Sequence, residues 1–93
     1  MALETTKWDI TEHLDSDKAI AAYLDAVFED GDAAEIRRAL GHVARARGMT
    51  DVAKSVGITR AGLYKALGDK GNPSFDLVAS LLKTFGVKLT VAA

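Results

Sequence analysis

The side chains best suited to binding chemistry lie between Met49 and Gly68, in the stretch MTDVAKSVGITRAGLYKALG. Arg60 carries a planar guanidinium that can make two hydrogen bonds to a guanine, and Lys65 can reach a phosphate or a base. Tyr64 can stack on a sugar or donate a hydrogen bond to a phosphate. These residue types favour contact with nucleic acid, where salt-sensitive phosphate contacts dominate the affinity.

The rest of the chain offers little catalytic chemistry. His13 and His42 are far apart in sequence, and neither lies beside an obvious nucleophile. The aspartates between Asp15 and Asp32 lack the spacing of a calcium loop and are better explained as helix caps. The chain has no cysteine, so disulfides, thiolate metal sites and thiol chemistry are excluded. We expect no enzyme activity, no cofactor and no metal.

The basic residues need a local scaffold that holds them outward. Ala53 is small enough to lie where two short helices touch, and Gly57 can adopt the left-handed backbone conformation that a tight bend requires. Thr59 is placed to cap the second helix, while Ile58 and Leu63 should fix the pair to the core. This pattern predicts a helix-turn-helix, a unit that places its second helix in the major groove of DNA.

Gly62 lies inside the second of these helices, where glycine costs roughly 1 kcal/mol relative to alanine. A close approach of the backbone to a DNA duplex would explain it. Simple tolerance near a helix start is an equally good explanation.

Hydrophobic periodicity predicts three further helices and an all-α fold of five helices. One covers 17–29 after Ser16 or Asp17. A second runs from an Asp32 cap to Gly48, and the last from a Ser74 cap to Gly86. Thr50 is expected to cap the first helix of the motif. The predicted core positions are Ile20, Tyr23, Leu24, Val27, Phe28, Ile36, Leu40, Val43, Val52, Ala53, Val56, Leu63, Leu67, Phe75, Val78, Leu81, Leu82 and Phe85.

The segment VKLTV, from Val87 to Val91, alternates apolar and polar residues and predicts a short C-terminal β-strand. A single strand needs a partner, and no second strand is evident in the sequence. A second copy of the chain would supply one. Because a core built from 93 residues gives marginal stability, a homodimer is expected.

Charge is distributed unevenly along the chain. Residues 1–36 have a balance of −8 and residues 37–93 a balance of +7, which gives the net charge of −1. This division indicates two surfaces with different partners, although two solvated faces that partly neutralise each other would look the same. We divide the single compact domain into an acidic N-terminal arm and helix (1–31) and a helix-turn-helix DNA-binding part (32–93). Trp8 and Ile10 are expected to anchor the arm on the core, with a partner contact as the alternative.

The sequence contains no membrane-spanning run of about 20 apolar residues. Its start, MALETTKWDITEHLD, lacks the basic flank and apolar run of a signal peptide. We therefore expect a cytoplasmic location and no membrane partner.

The segment MTDVAKSVGITRAGLYKALGDKGNPSFDLVASLLKTFGVKLTV resembles the helix-turn-helix of the lambda repressor and Cro type. Together with LDSDKAIAAYLDAVFEDGDAAEIRRALGHVARARGMT, it is similar to a narrower group, the probable addiction-module antidote proteins, which are HigA-like antitoxins. ARARGMT, LYKAL and GNPSF are the most specific pieces. The resemblance implies a small cytoplasmic DNA-binding protein that represses its own operon as a dimer and pairs with a co-encoded toxin of the RelE/ParE type.

Carried onto this sequence, the resemblance implies DNA-reading roles for one set of residues in the second motif helix. Thr50 at the start of the first motif helix and Lys70 after the second complete the predicted interface. One departure concerns the first motif helix, where many such repressors place a glutamine. Met49, Thr50 and Asp51 occupy that turn here, and the Asp51 carboxylate would repel a phosphate unless it only caps the helix. The set carried over is Thr59, Arg60, Ala61, Tyr64 and Lys65.

Two other functions remain open at this stage. The helix-turn-helix could be only a scaffold in a protein-interaction module whose acidic half binds a basic protein, a hypothesis that Met49 and Asp51 motivate. The chain could also be a plain repressor without a toxin. Salt-dependent binding to operator DNA distinguishes the first of these, and the identity of the neighbouring gene distinguishes the second.

Overall fold

A computed structural model of the chain describes residues 14–91, and these form five α-helices with no β-strand. The all-α class and the five predicted helices are confirmed. Trp8, Ile10 and His13 lie outside the described residues. The helices are α1 (Asp17–Asp30), α2 (Ala33–Arg47), α3 (Met49–Val56), α4 (Arg60–Leu67) and α5 (Phe75–Thr84).

Side-chain caps fix the starts of most of these helices, as the sequence predicts. The Ser16 hydroxyl accepts a hydrogen bond from the Ala19 N–H at 3.1 Å, ahead of α1. An Asp32 carboxylate oxygen accepts from the Glu35 N–H at 2.9 Å, ahead of α2. Ser74 caps α5 in the same way, with 3.1 Å between its hydroxyl and the Leu77 nitrogen. Short-range chemistry is therefore sufficient to place these helix starts.

The predicted Thr50 cap is wrong. Gly48 is the N-cap of α3, and no side chain makes a capping hydrogen bond there. Gly48 also ends α2, with φ at +104° and its N–H donating to the Ala44 carbonyl. Because the chain passes from α2 into α3 through this single residue, the helix begins earlier than the threonine and Thr50 lies inside its first turn.

The core lies where α2 and α3 pack on their neighbours. Helix α2 packs on α1, α3 and α4, and α3 packs on α4 and α5. Phe85 is fully buried just after the end of α5. The other buried apolar residues are Leu14, Ile20, Leu24, Ala39, Leu40, Val43, Ala44, Met49, Val52, Ala53, Leu63, Leu67, Leu81 and Leu82.

Two residues predicted to be buried are exposed. Phe75 is 71% exposed. It is the first residue of α5, and contact of this helix with the core begins only at Leu77 and Val78. Ile58 is 36% exposed, because it follows the bend after α3 and lies outside the core cluster. Of the two residues predicted to fix the helix pair to the core, Leu63 is buried as predicted and Ile58 is not.

The predicted C-terminal strand is not formed in the single chain. Within residues 14–91 no second strand is present to pair with Val87–Val91, and a strand without a partner leaves its backbone groups unpaired. The segment instead continues from the end of α5, where the Val87 N–H donates to the Leu82 carbonyl at 2.9 Å. Val87 packs against the core, whereas Leu89 and Val91 are 51% and 97% exposed.

Polar contacts join α1 to α2 across their interface. The Tyr23 hydroxyl lies 2.8 Å from Nδ1 of His42, and Arg47 at the end of α2 pairs with Asp17 at the start of α1. Burial raises the pKa of the Tyr23 hydroxyl, while the nearby guanidinium groups of Arg38 and Arg45 lower it by a smaller amount. The neutral phenol is therefore the form that this interface favours.

Replacing Tyr23 with phenylalanine is expected to lower the free energy of unfolding by about 0.5–1.5 kcal/mol, the usual contribution of one hydrogen bond. Because the pKa of Tyr23 lies above 10.0 in the folded chain, the stability due to the neutral phenol is present below pH 10 and is lost as pH rises through the folded pKa. Chemical denaturation at neutral and strongly alkaline pH should therefore show a smaller alkaline loss in Tyr23→Phe than in the wild type. Tyr64→Phe, which changes an exposed tyrosine, is the matched control; an equal alkaline loss in all three proteins would contradict this prediction.

Candidate nucleic-acid interface

The bend between α3 and α4 is formed as the sequence predicts. Gly57 has φ at +79°, a left-handed conformation that costs most other residues about 1–2 kcal/mol. Its N–H donates to the Lys54 carbonyl at 3.2 Å, and the Ile58 N–H donates to the Ala53 carbonyl at 3.0 Å. This paired arrangement satisfies the last carbonyls of α3 and turns the chain sharply into α4.

Thr59 caps α4 as predicted. Its hydroxyl accepts a hydrogen bond from the Gly62 N–H at 2.9 Å. A Cβ atom at position 62 would lie only 3.0 Å from that same hydroxyl oxygen. The structure thus adds a third explanation for Gly62, since a side chain there would crowd the cap that starts the helix.

Helix α4 presents one face to the core and the other to solvent. Leu63 and Leu67 are buried, and this fixes the rotation of the helix. The residues on its outer face are Arg60, Ala61, Tyr64 and Lys65, all of them exposed. Each predicted DNA-reading side chain of α4 is therefore available to a partner.

Arg60 and Tyr64 contact each other along this outer face. The guanidinium carbon of Arg60 lies 5.4 Å from the centre of the Tyr64 ring, a cation–π arrangement worth about 0.5–1 kcal/mol at an exposed site. Nη2 of Arg60 also lies 3.5 Å from the Tyr64 hydroxyl, which is a long hydrogen bond. The contact reduces the rotamer freedom of Arg60 while leaving Tyr64 44% exposed.

A shallow depression of about 420 Å³ lies between the start of α3 and the outer face of α4. Three of the predicted DNA-contacting residues, Thr50, Arg60 and Tyr64, line it together. The other four are exposed, but they lie outside this depression. The complete lining is Arg45, Gly48, Met49, Thr50, Asp51, Arg60 and Tyr64, and the four predicted residues outside it are Thr59, Ala61, Lys65 and Lys70.

Two charged residues of the depression were not in the predicted interface. Arg45 lies in the last turn of α2, and only the passage through Gly48 into α3 brings it beside Thr50. Asp51 was singled out as a departure but was given no contact role. The sequence could have indicated this role for Arg45 in one way only. Arg45 lies three residues before Gly48, the glycine that ends α2 and precedes α3.

Other kinds of site receive no support from residues 14–91. In this part of the chain no three His, Asp or Glu side chains are grouped so that they could hold a metal ion. None of the five described helices has the length and hydropathy needed to cross a membrane.

The model of the family "Probable addiction module antidote protein" matches residues 4–93. The chain belongs to this family. An uncharacterized protein of Haemophilus influenzae (strain ATCC 51907 / DSM 11121 / KW20 / Rd) is 38% identical over 91 residues, covering 98% of this chain and 94% of that protein. No solved structure gives a significant match.

Membership of the antidote family carries two consequences. An antidote of an addiction module counteracts a toxin, so the family implies a toxin partner. It also suggests a regulatory role. The resemblance read from ARARGMT, LYKAL and GNPSF is thereby confirmed at the level of the family.

Proposed function

We propose that this protein is the antitoxin of a type II toxin–antitoxin module, acting in the cytoplasm without catalytic activity. It binds operator DNA as a dimeric transcriptional repressor and neutralises a co-encoded toxin of the RelE/ParE type. The observation that carries the DNA-binding part is the outer face of α4, where Arg60, Tyr64 and Lys65 are exposed next to a glycine bend.

The charges on and around α4 suit a DNA duplex. Arg60 reads a guanine, Lys65 and Lys70 reach phosphates, and the small Ala61 lets the helix approach the base edges. Thr50 contributes a hydroxyl from the start of α3, beside Arg60 and Tyr64. Neutralising phosphates releases counterions, so binding should weaken steeply as salt rises.

Two observations support the toxin partner. One is the family, and the other is the negative charge of α1, which is opposite to the positive charge expected of the toxin. Every Asp and Glu residue of the segment 14–36 is exposed. Among the described residues, only Asp17 forms an ion pair, with Arg47. An acidic surface complements a basic toxin and favours fast association. In this proposal the acidic part, 1–31, faces the toxin, and 32–93 faces DNA.

A groove of about 450 Å³ between α1 and the C-terminal segment supports a homodimer. Its apolar lining includes Leu24, Phe28 and Leu82. Leu89 also lines it and is half exposed, and Asp25 and Lys88 give it both signs of charge. A two-fold interface must be self-complementary, and this surface carries both an exposed apolar side chain and a recess to receive it. Pairing of Val87–Val91 between two protomers remains our prediction.

Replacing Leu89 with aspartate is expected to weaken dimerisation at least about tenfold, because it places a charge in an apolar interface. Sedimentation equilibrium over a range of concentrations measures the effect. Phe75→Ser is the matched control, since Phe75 is the large exposed apolar residue of α5. If Phe75→Ser dissociates the dimer and Leu89→Asp does not, the interface lies on the fifth helix and the groove assignment is wrong.

The function is tested by binding of the purified protein to DNA from upstream of its own gene, together with a pull-down of the protein encoded next to it. We expect specific, salt-dependent operator binding and a stable complex with a small basic partner. A tight protein complex without any salt-dependent DNA binding would instead support the interaction-module hypothesis, for which the acidic side chain of Asp51 in the depression is the structural argument. Operator binding without a toxin gene beside this one would support a plain repressor.

A further inference from the structure

Asp51 places a carboxylate in a depression otherwise suited to anions. The depression is also lined by Arg45 and Arg60, yet neither pairs with Asp51, since among residues 14–91 the single salt bridge joins Arg47 to Asp17. One carboxylate oxygen of Asp51 lies 3.9 Å from where a Cβ at Gly48 would stand, so the side chain leans toward the start of α3. It makes no capping hydrogen bond there.

A phosphate is a poor occupant for this depression. Two guanidinium groups would attract it, but the Asp51 carboxylate in the same lining would repel it at short range. A base edge suits the mixed lining better. In the major groove, a G·C pair presents two acceptors on guanine and an amino donor on cytosine, which match a guanidinium and a carboxylate respectively.

Resting on the proposed operator binding, we infer that Asp51 is a specificity-determining residue that accepts a hydrogen bond from the N4 amino group of a cytosine in the base pair adjacent to the one whose guanine Arg60 contacts. Thymine presents a carbonyl oxygen at the equivalent position, and this oxygen would face the carboxylate without a shared proton. Asp51 therefore discriminates against T·A more than it contributes to affinity.

The experiment measures wild-type and Asp51→Ala affinities for the operator and for operators carrying each single C·G to T·A change. At one position in each half-site, the change should weaken wild-type binding roughly fivefold to tenfold and should affect Asp51→Ala less than about twofold. Asp51→Asn keeps the size of the side chain and gains a donor, so it should reduce or reverse the discrimination at that same position. Asp69→Ala, which removes an exposed acid outside the depression, should retain the wild-type preferences.

Three results would overturn the inference. Identical base preferences in the wild type and both Asp51 variants would show that Asp51 reads no base. A uniform gain of affinity for every operator in Asp51→Ala would show that it only repels phosphate. If the wild type binds none of these duplexes even at low salt, the proposed function itself fails and the inference fails with it. Circular dichroism of each variant should show the helix content of the wild type, so that a change in base preference is not due to unfolding.

Discussion

Replacing Arg60 with alanine is expected to weaken specific operator binding by about 1–3 kcal/mol, which is roughly a 5- to 150-fold loss of affinity. The change removes the guanidinium that the Tyr64 ring orients at the start of α4. Because Arg60 is exposed, the free energy of unfolding should fall by no more than about 1 kcal/mol, the contribution of its cation–π contact with Tyr64. Fluorescence anisotropy with the operator and a scrambled duplex measures the loss and its sequence dependence.

The controls for Arg60→Ala separate base reading from general charge. Lys65→Ala and Lys70→Ala should weaken binding to all sequences alike and reduce the salt dependence by about one unit of slope each. Lys18→Ala removes an exposed positive charge from α1 and should leave DNA affinity unchanged. Operator affinity that is the same in Arg60→Ala as in the wild type would count against α4 as the reading helix.

Replacing Gly71 with alanine is expected to lower the free energy of unfolding by about 3 kcal/mol, near the upper end for an overpacked site. A Cβ atom at this position would lie 2.1 Å from the Ala66 carbonyl oxygen and 2.5 Å from that of Lys65. These are backbone atoms at the end of α4, so no side chain can rotate away to relieve the overlap. For a domain of this size, such a loss corresponds to a decrease in Tm of roughly 12–24 °C.

Asn72→Ala is the matched control for Gly71→Ala, because it changes the next residue of the same loop at an exposed position. Thermal unfolding followed by circular dichroism should leave this control within a few degrees of the wild type. A Gly71→Ala protein as stable as Asn72→Ala would mean that the loop does not pack against the end of α4 as described.

Local chemistry explains which helix boundaries could be predicted from the sequence. Ser16, Asp32, Thr59 and Ser74 each accept a hydrogen bond from a backbone N–H three residues later, which is a short-range rule that the sequence displays directly. Thr50 fits the same rule but does not cap α3, because the chain passes from α2 into α3 through Gly48 alone and the helix already begins at Met49. Gly71 gave no local signal, since the backbone that excludes a side chain there belongs to the preceding helix.

The candidate site was predictable in part for the same reason. The outward face of α4 follows from helical spacing once Leu63 and Leu67 are placed inward, so Arg60 and Tyr64 could be identified from the sequence alone. Arg45 lines the depression because of the orientation of α2 relative to α3. The spacing of residues within one helix does not show this orientation.

The apolar pattern misled at two positions. It suggested burial for Ile58 and for Phe75, which lie beside a bend and at a helix start, where an apolar residue can remain exposed without breaking the pattern of its neighbours. The sequence showed the type of these residues but not the depth of the core beneath them.

NMR shift mapping of the isotope-labelled protein with its upstream duplex tests most directly whether the outer face of α4 binds operator DNA. We predict that the largest backbone shift changes fall at Thr50, across residues 59–65 and at Lys70, and that they decrease as salt is added. Changes confined to α1 and the C-terminal groove, or no changes at any salt concentration, would contradict the account.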